Sequence, residues 1–439
     1  MSESTNAVYL TYRRDIAAIP ARALFHALRG GGVDVFMDTD SVMDDATRAL
    51  LSAQIAARPY FVLVATHGSL ERCVESGDWL RFQLEQAQAA QSKIIVVHPP
   101  EFSFAQAASM LGALLANATP FPVTYESLPA DSARLRLTHL KAVPHSAPPD
   151  PEPAALSAWL ARLNTLPPVD ADQIAAQKLF ERAFTRPQGD WQSRINDYTA
   201  ALERYPDFAS AYARRGANRE ILDDLHGAMD DFDAAIRLNP LHDVAYVNRG
   251  ILFAKLGDLH SAFLDYNEAI RLNPTLALAY YNRAVAYANR GDDDGALADL
   301  NTAIAFEPRP IYFFQRGLSF ARKGDDANAL ADYTEAIRLN PKLAEAYYNR
   351  GLIRAKSDTR RAVSDWTQAI EADPMLAEAY YNRGLVRAQW GDLEGTLEDM
   401  IKFLELMPEH EKTAEVREMI ENMRQMRDGN LPDQQVGSQ

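Results

Sequence analysis

A series of prolines at 206, 240, 274, 308, 341, 374 and 408 divides the second half of the chain at intervals of 34, 34, 34, 33, 33 and 34 residues. Proline fixes φ and removes a backbone donor, so each one stops a helix at the same place in successive units. A period near 34 leaves room for two helices and their turns. A unit of that size cannot bury its apolar face alone, so neighbours must stack and the end units must differ from the middle ones. The residues around each proline agree. In the unit that closes at Pro274, Gly250 and Ala262 are small enough for paired helices to approach closely, while Tyr246, Phe253, Tyr266 and Ala269 fill the space between units. Gly257 ends the first helix and Pro274 stops the second.

This pattern resembles the tetratricopeptide (TPR) repeat. Six clear units span Asp207–Pro408, with Gly216, Gly250, Ala284, Gly317, Gly351 and Gly384 at the first small position. A worn unit at about Asp172–Pro206 keeps Tyr198 and Ala201, so the array covers 172–408. One unit is a residue short before Ile311 and another at Lys356–Thr359, and the last carries Phe403 where alanine is usual. The charged stretch 409–427 is expected to cap the stack, and 428–439 to be a disordered tail.

The resemblance implies an all-α solenoid with a groove for a peptide or protein. Asn248, Asn282, Asn349 and Asn382 stand two residues before the small position, where some TPR proteins use asparagine to clamp a peptide's terminal carboxylate. That clamp also needs Lys and Asn one unit earlier, and Ala213 and Ala217 occupy those places. The asparagines are left with two readings, peptide contact in the groove or bonding inside the array. Arg249, Arg283, Arg350 and Arg383 are expected to pair with acidic residues on a solvated face.

Val143–Pro153 holds five prolines in eleven residues and no apolar pattern, so it is expected neither to continue a helix nor to pair in a sheet. With a short helix at 154–164 and the break at Pro167-Pro168, residues 143–171 read as a linker. Before it, Ala7–Tyr12, Val33–Met37, Tyr60–Ala65 and Lys93–His98 are short runs rich in β-branched and aromatic residues. They alternate with helical patterns at 20–29, 45–57 and 78–90, which predicts a parallel sheet buried on both faces, with any ligand at the carboxyl ends of its strands.

The order of fragments Val8–Arg14, Val35–Ser41, Tyr60–Val64 and Gly77–Trp79 resembles a TIR (Toll/interleukin-1 receptor) domain of the bacterial style, over residues 1–142. The resemblance implies a flavodoxin-like α/β fold, self-association between TIR domains, and cleavage of the nicotinamide–ribose bond of NAD. Such cleavage needs a carboxylate beside the ribose, where positive charge develops as nicotinamide leaves. The family places a glutamate four residues after the tryptophan; counting from Trp79, that position is Gln83. Glu85 lies about 200° further round the helix, at about 100° per residue. No catalytic residue is therefore assigned. The loop Val42–Asp45 also lacks the usual glycine.

Tyr12, Arg13, Arg14, Asp38, Ser41, Trp79 and Gln83 are the candidate NAD-binding residues implied by the resemblance. Arg13 and Arg14 read either as phosphate contacts or as a surface pair. Asp38 and Ser41 read rather as caps of the next segment, and Trp79 as packing of its helix on the sheet. Cys73, the single cysteine, is expected to be inert and excludes an internal disulfide.

Charge supports the same class. Residues 1–149 carry 12 Lys/Arg against 14 Asp/Glu and the rest 33 against 46, out of a net −15, so a phosphate backbone is not an expected partner. Scattered histidines argue against a metal site, and the absence of a long apolar run or a basic, apolar start argues for a cytoplasmic protein off the membrane. The expected function is a signalling or interaction protein in which a TIR domain without its acid is tethered to a TPR scaffold, needing no cofactor. Two alternatives stand beside it: an NAD hydrolase of bacterial defence activated by TPR-sensed clustering, and a module that binds NAD without cleaving it.

Overall fold

The structure is a computed structural model that describes residues 3–13, 17–38, 45–66, 70, 73, 78–100, 102–124, 128–145 and 153–427. It forms two compact units, 1–286 and 287–439. The expected tail lies outside the described residues.

The first unit begins with seven strands: β1 (Glu3–Thr5), β2 (Val8–Tyr12), β3 (Val35–Met37), β4 (Tyr60–Val64), β5 (Lys93–His98), β6 (Thr119–Pro122) and β7 (Val143–His145). Strands β2 to β6 make one parallel sheet in the order β3-β2-β4-β5-β6. Helices α1 (Ala18–Gly30), α2 (Asp45–Ala56), α3 (Trp79–Ala89), α4 (Phe104–Leu111) and α5 (Leu128–Thr138) connect them, with α1 packed on α5 and α2 on α3. Every described side chain of β2, β3 and β4 is buried, as a sheet covered on both faces requires.

Two expectations for 143–171 need correction. The segment does pair: β7 runs antiparallel to β1, with Pro144 opposite Ser4. A two-stranded ladder leaves half of its backbone donors facing outward, so it accepts a residue that has none. The helix α6 (Pro153–Thr165) is likewise more than a spacer. Phe61, Tyr9 and Phe36 stack across β4, β2 and β3 with centroids 5.5 and 5.6 Å apart, and Trp159 of α6 continues the stack at 5.7 Å from Phe36. The Trp159 indole N–H donates to the Met37 carbonyl at 3.0 Å, so α6 covers the edge strand β3 with both an apolar face and a hydrogen bond.

Helix pairs follow, at Ala171–Thr185/Trp191–Arg204, Ala209–Ile221/Leu225–Leu238 and Asp243–Lys255/Leu259–Leu272. The worn unit is thus a complete helix pair, packed around Phe180 and Tyr198. The division between compact units falls within the helix Ala277–Asn289. The second unit continues with Asp293–Phe306, then Pro310–Arg322/Asp326–Leu339, Ala344–Arg354/Thr359–Ala372 and Ala377–Gln389/Leu393–Leu406, and ends on Thr413–Arg427. Val416 and Ile420 of that last helix seat on Met400 and Phe403.

The small positions are steric necessities. A Cβ on Gly250 would stand 2.6 Å from the Tyr266 ring, and one on Gly351 would stand 2.5 Å from the Trp366 indole nitrogen. Both deleted residues are absorbed locally. Pro310 serves as the first residue of its helix, where a missing N–H costs nothing, and the helix before Lys356 ends at Arg354 after 11 residues rather than 13.

Candidate functional site

The carboxyl edge of the sheet gathers five of the seven candidates. Tyr12 ends β2 and Arg13 follows it, Asp38 follows β3, and Trp79 and Gln83 lie on α3. All five are buried, Asp38 at 1% exposure and Gln83 at 0%. Gln83 sits between two partners: the Thr11 hydroxyl donates to its amide oxygen, and its amide nitrogen donates to Asp38 Oδ2 at 2.7 Å. The same Asp38 oxygen accepts the Trp79 indole N–H at 3.2 Å. An amide can face a hydroxyl and a carboxylate at once because one end accepts and the other donates. Arg14 and Ser41 lie outside the described residues, as do Val42–Asp44 of the departing loop.

Two expectations for this edge change. Arg13 is not a surface arginine. It is 8% exposed, and its guanidinium forks onto Asp78, one arm at 3.0 Å, with Cys73 Sγ at 3.4 Å. Asp78 also caps α3 by accepting the Arg81 N–H at 3.0 Å, so one carboxylate ties the first strand to the start of the third helix. Asp38, read as a cap, binds α3 through Trp79 and Gln83. Trp79 packs as expected, stacked on Phe82 at 5.3 Å, with the Arg48 guanidinium 5.4 Å from its ring. Burial pushes the Cys73 thiol up, the neighbouring Asp78 adds to that, and Arg13 opposes it only in part. The thiolate is therefore disfavoured.

Glu85 is exposed and ion-paired with Arg81 at 2.8 Å, across one turn of α3 from the buried face that holds Gln83. The carboxylate that does lie beside Trp79 and Gln83 is Asp38, and the sequence pattern did not mark it as such.

In the repeats, Arg215, Arg249, Arg316, Arg350 and Arg383, each standing before a small position, fork onto an aspartate of their own unit. Arg249 meets both oxygens of Asp265 at 2.8 Å, and its third arm reaches Asp233 of the preceding unit at 2.6 Å. Arg316 does the same with Asp332 and Asn301, Arg350 with Asp365 and Thr334, and Arg383 with Asp399 and Thr367. Arg283 reaches back to Asn267 at 2.5 Å. Pairing was expected, but on a solvated face. The aspartate side chains are 2–7% exposed, so this is an internal device that fastens a unit to the one before it. The signal was available. Asp197, Asp231, Asp265, Asp299, Asp332, Asp365 and Asp399 each stand nine residues before a proline of the series.

The asparagines are divided. Asn282 and Asn349 donate to carbonyls of their own helices at 2.8 Å, Asn382 donates to the Tyr348 hydroxyl at 3.1 Å, and Asn248 is half-buried. Among the described residues no cluster of His, Cys, Asp and Glu could hold a metal ion, and no helix is long and apolar enough to cross a membrane.

Family profiles match part of the helical region. Profiles described as TPR repeat or tetratricopeptide repeat match residues 252–291, 277–310, 317–358 and 354–395. No curated protein matches the chain. Among solved structures, YrrB, titled a TPR protein with an unusual peptide-binding site, is 25% identical over 43% of this chain and 97% of its own, with a TM-score of 0.36. The Cut9–Hcn1 hetero-tetramer of APC/C is 17% identical over 61% of this chain and 51% of its own, at 0.47. PilF of Pseudomonas aeruginosa is 15% identical over 48% and 97%, at 0.45. Matched profiles, the proline period and the paired helices agree: the helical part of this chain is an array of tetratricopeptide repeats.

Proposed function

We propose that the chain is an interaction protein, in which the repeats hold a protein or peptide segment and the α/β domain is a TIR-type domain that associates with others of its kind and does not cleave NAD. Gln83 carries this reading. It occupies the place where the TIR resemblance puts the catalytic glutamate, and it is clamped between Thr11 and Asp38 with no exposed surface. An amide there brings no charge to a developing cation, and losing one electrostatic stabiliser costs on the order of 10²–10³ in rate. Glu85, the nearest acid on α3, is spent on Arg81 at the surface.

The test is turnover of NAD by the purified full-length protein, with and without a crowding agent, beside Gln83→Glu. The expected result is no turnover by the parent chain. Robust turnover would sink the reading. NAD binding by calorimetry without turnover would favour a module that reads the nucleotide.

A second reading has one observation in its favour. Asp38 supplies a carboxylate 3.2 Å from the Trp79 indole nitrogen, so an NAD-cleaving site could draw on Asp38 in place of the missing glutamate. It would have to give up its bonds to Trp79 and Gln83 to reach a substrate. In that case Asp38→Asn abolishes the parent's turnover.

A further inference from the structure

Ile19, Arg22, His26 and Arg29 recur on α1 at spacings of three, four and three residues, which places them on one stripe of the helix. All four meet the segment that leads into the array. Ile19 is 4% exposed, and it belongs with Phe180 and Tyr198 of the first helix pair and Phe208 just beyond it rather than with the sheet core. Arg22 donates to Gln173 Oε1 at 2.9 Å, His26 Nε2 lies 3.0 Å from the Pro167 carbonyl oxygen, and Arg29 donates to Asn164 Oδ1 at 2.9 Å. As α1 runs forward from Ile19 to Arg29, its partners step backward from Phe180 to Asn164. The segment therefore lies antiparallel along the helix like a strap.

The strap shares parts with the array. Gln173 Oε1 also accepts the Asp170 N–H at 3.2 Å, completing the capping box of Ala171–Thr185, so one oxygen serves both the latch and the helix start. Phe180 lies 4.9 Å from Phe208, the residue that leads into the next helix, Ala209–Ile221. The seat of Ile19 is thus built from side chains that the first helix pairs use for their own packing. Three of the four contacts are polar and partly or fully exposed, so they can exchange for water at small cost.

We infer that the outer stripe of α1 is an intramolecular docking surface whose occupant is residues 164–183 of this same chain, and that rearrangement of the first helix pair uncovers it. This rests on the interaction reading for its purpose, since it makes the array control access to one face of the α/β domain. The latch itself is independent of NAD chemistry and of any partner.

Hydrogen exchange on the full-length protein tests it. Arg22→Ala should speed exchange of the amides of 170–176 by about tenfold, and Ile19→Asp by about a hundredfold, with the amides of 344–427 unchanged. Parent-like exchange of 170–176 in Arg22→Ala overturns the latch, and Arg22→Ala remains informative if Ile19→Asp does not fold. Coupling is tested through the apolar seat: Phe208→Ala removes a ring that packs on Phe180 in the cluster that holds Ile19, and should speed exchange in α1. If 171–204 loosens in that variant while α1 stays protected, the array does not control the stripe. Turnover of NAD by the parent chain would end the interaction reading and leave these exchange results standing.

Discussion

The α/β domain and the repeat array bury polar groups by opposite strategies. In the domain, one continuous apolar cluster runs from Val8 to Leu163, and buried polar bonds gather at the carboxyl edge, where Gln83 joins Thr11 to Asp38 and Arg13 is paired with Asp78. In the array, apolar contacts come in small clusters of neighbouring helices, and five units repeat a buried aspartate held by the arginine before the small position, joined at Asp231, Asp365 and Asp399 by a second arginine. A motif that recurs in every unit serves stacking. A network that occurs once, at the end of a sheet where α/β proteins place ligands, is the better pointer to a site.

If α6 belongs to the α/β domain, removing its anchor should damage that domain most. Trp159→Ala takes away a stacked ring at 2% exposure and the bond to Met37, and should cost about 3–5 kcal/mol. Urea unfolding followed by exchange at β2–β5 reads the loss. An effect below about 1 kcal/mol would return α6 to the status of a spacer.

The array should fail locally. Asp365 holds both Arg350 and Arg354, at 2.8–3.1 Å, so Asp365→Ala leaves two partly buried guanidinium groups without their carboxylate. We expect a loss of about 2–4 kcal/mol, with exchange rising in Ala344–Arg354 and Thr359–Ala372 and the sheet unaffected. A loss spread evenly over the whole chain would contradict unit-by-unit stacking.

Gln83→Glu probes the single network. It sets a second carboxylate where the amide nitrogen now lies 2.7 Å from Asp38 Oδ2, and two carboxylates that close hold one proton between them. The shared proton raises a folded-state pKa above the ordinary glutamate value of about 4.3. A raised value means stability that is present below that pH and lost as pH rises through the folded pKa. The variant should match the parent near pH 4 and fall behind it by about 1–3 kcal/mol at pH 7. A flat difference between pH 4 and 7 would show that the two carboxylates do not face each other.

What the sequence could show follows from how local each signal is. The strands Tyr60–Val64 and Lys93–His98 stand out because burial on both faces makes Tyr60–Val64 and Ile94–Val97 continuously apolar. Thr119–Pro122 did not, because two prolines in four residues read as a break, although an edge strand tolerates them. The edge role of Trp159 was equally hidden, since nothing local distinguishes a tryptophan that packs 123 residues away on Phe36 from one in a spacer. The repeats were open to reading because proline and glycine act within a few residues of themselves. The buried aspartates obey the same period, but an Asp in a helix looks solvated until its partner 16 residues earlier is placed. At the candidate site, the tryptophan count located Gln83, while its bonds to Thr11 and Asp38 join residues 72 and 45 positions apart and needed the fold.

The smallest expected effect is on acid stability in the worn unit, and it bears on whether that unit is fastened like the others. Burial of Asp197 pushes its carboxyl up, but hydrogen bonds from Arg186 and Arg182 outweigh this and hold it below the ordinary 3.8. A depressed folded value means that its contribution is whole above the unfolded pKa and is lost as pH falls through the folded one. Arg182 and Arg186 are 52% and 35% exposed, so solvent and salt screen much of the pairing. Asp197→Asn should therefore lower stability modestly at pH 7 and flatten its decline below about pH 4, with a smaller difference at high salt. Arg249 fastens its unit from the position before the small residue, whereas the worn unit uses two arginines from the end of its first helix, so a loss at pH 7 as large as that of Asp265→Asn would mean the substitute pair fastens equally well.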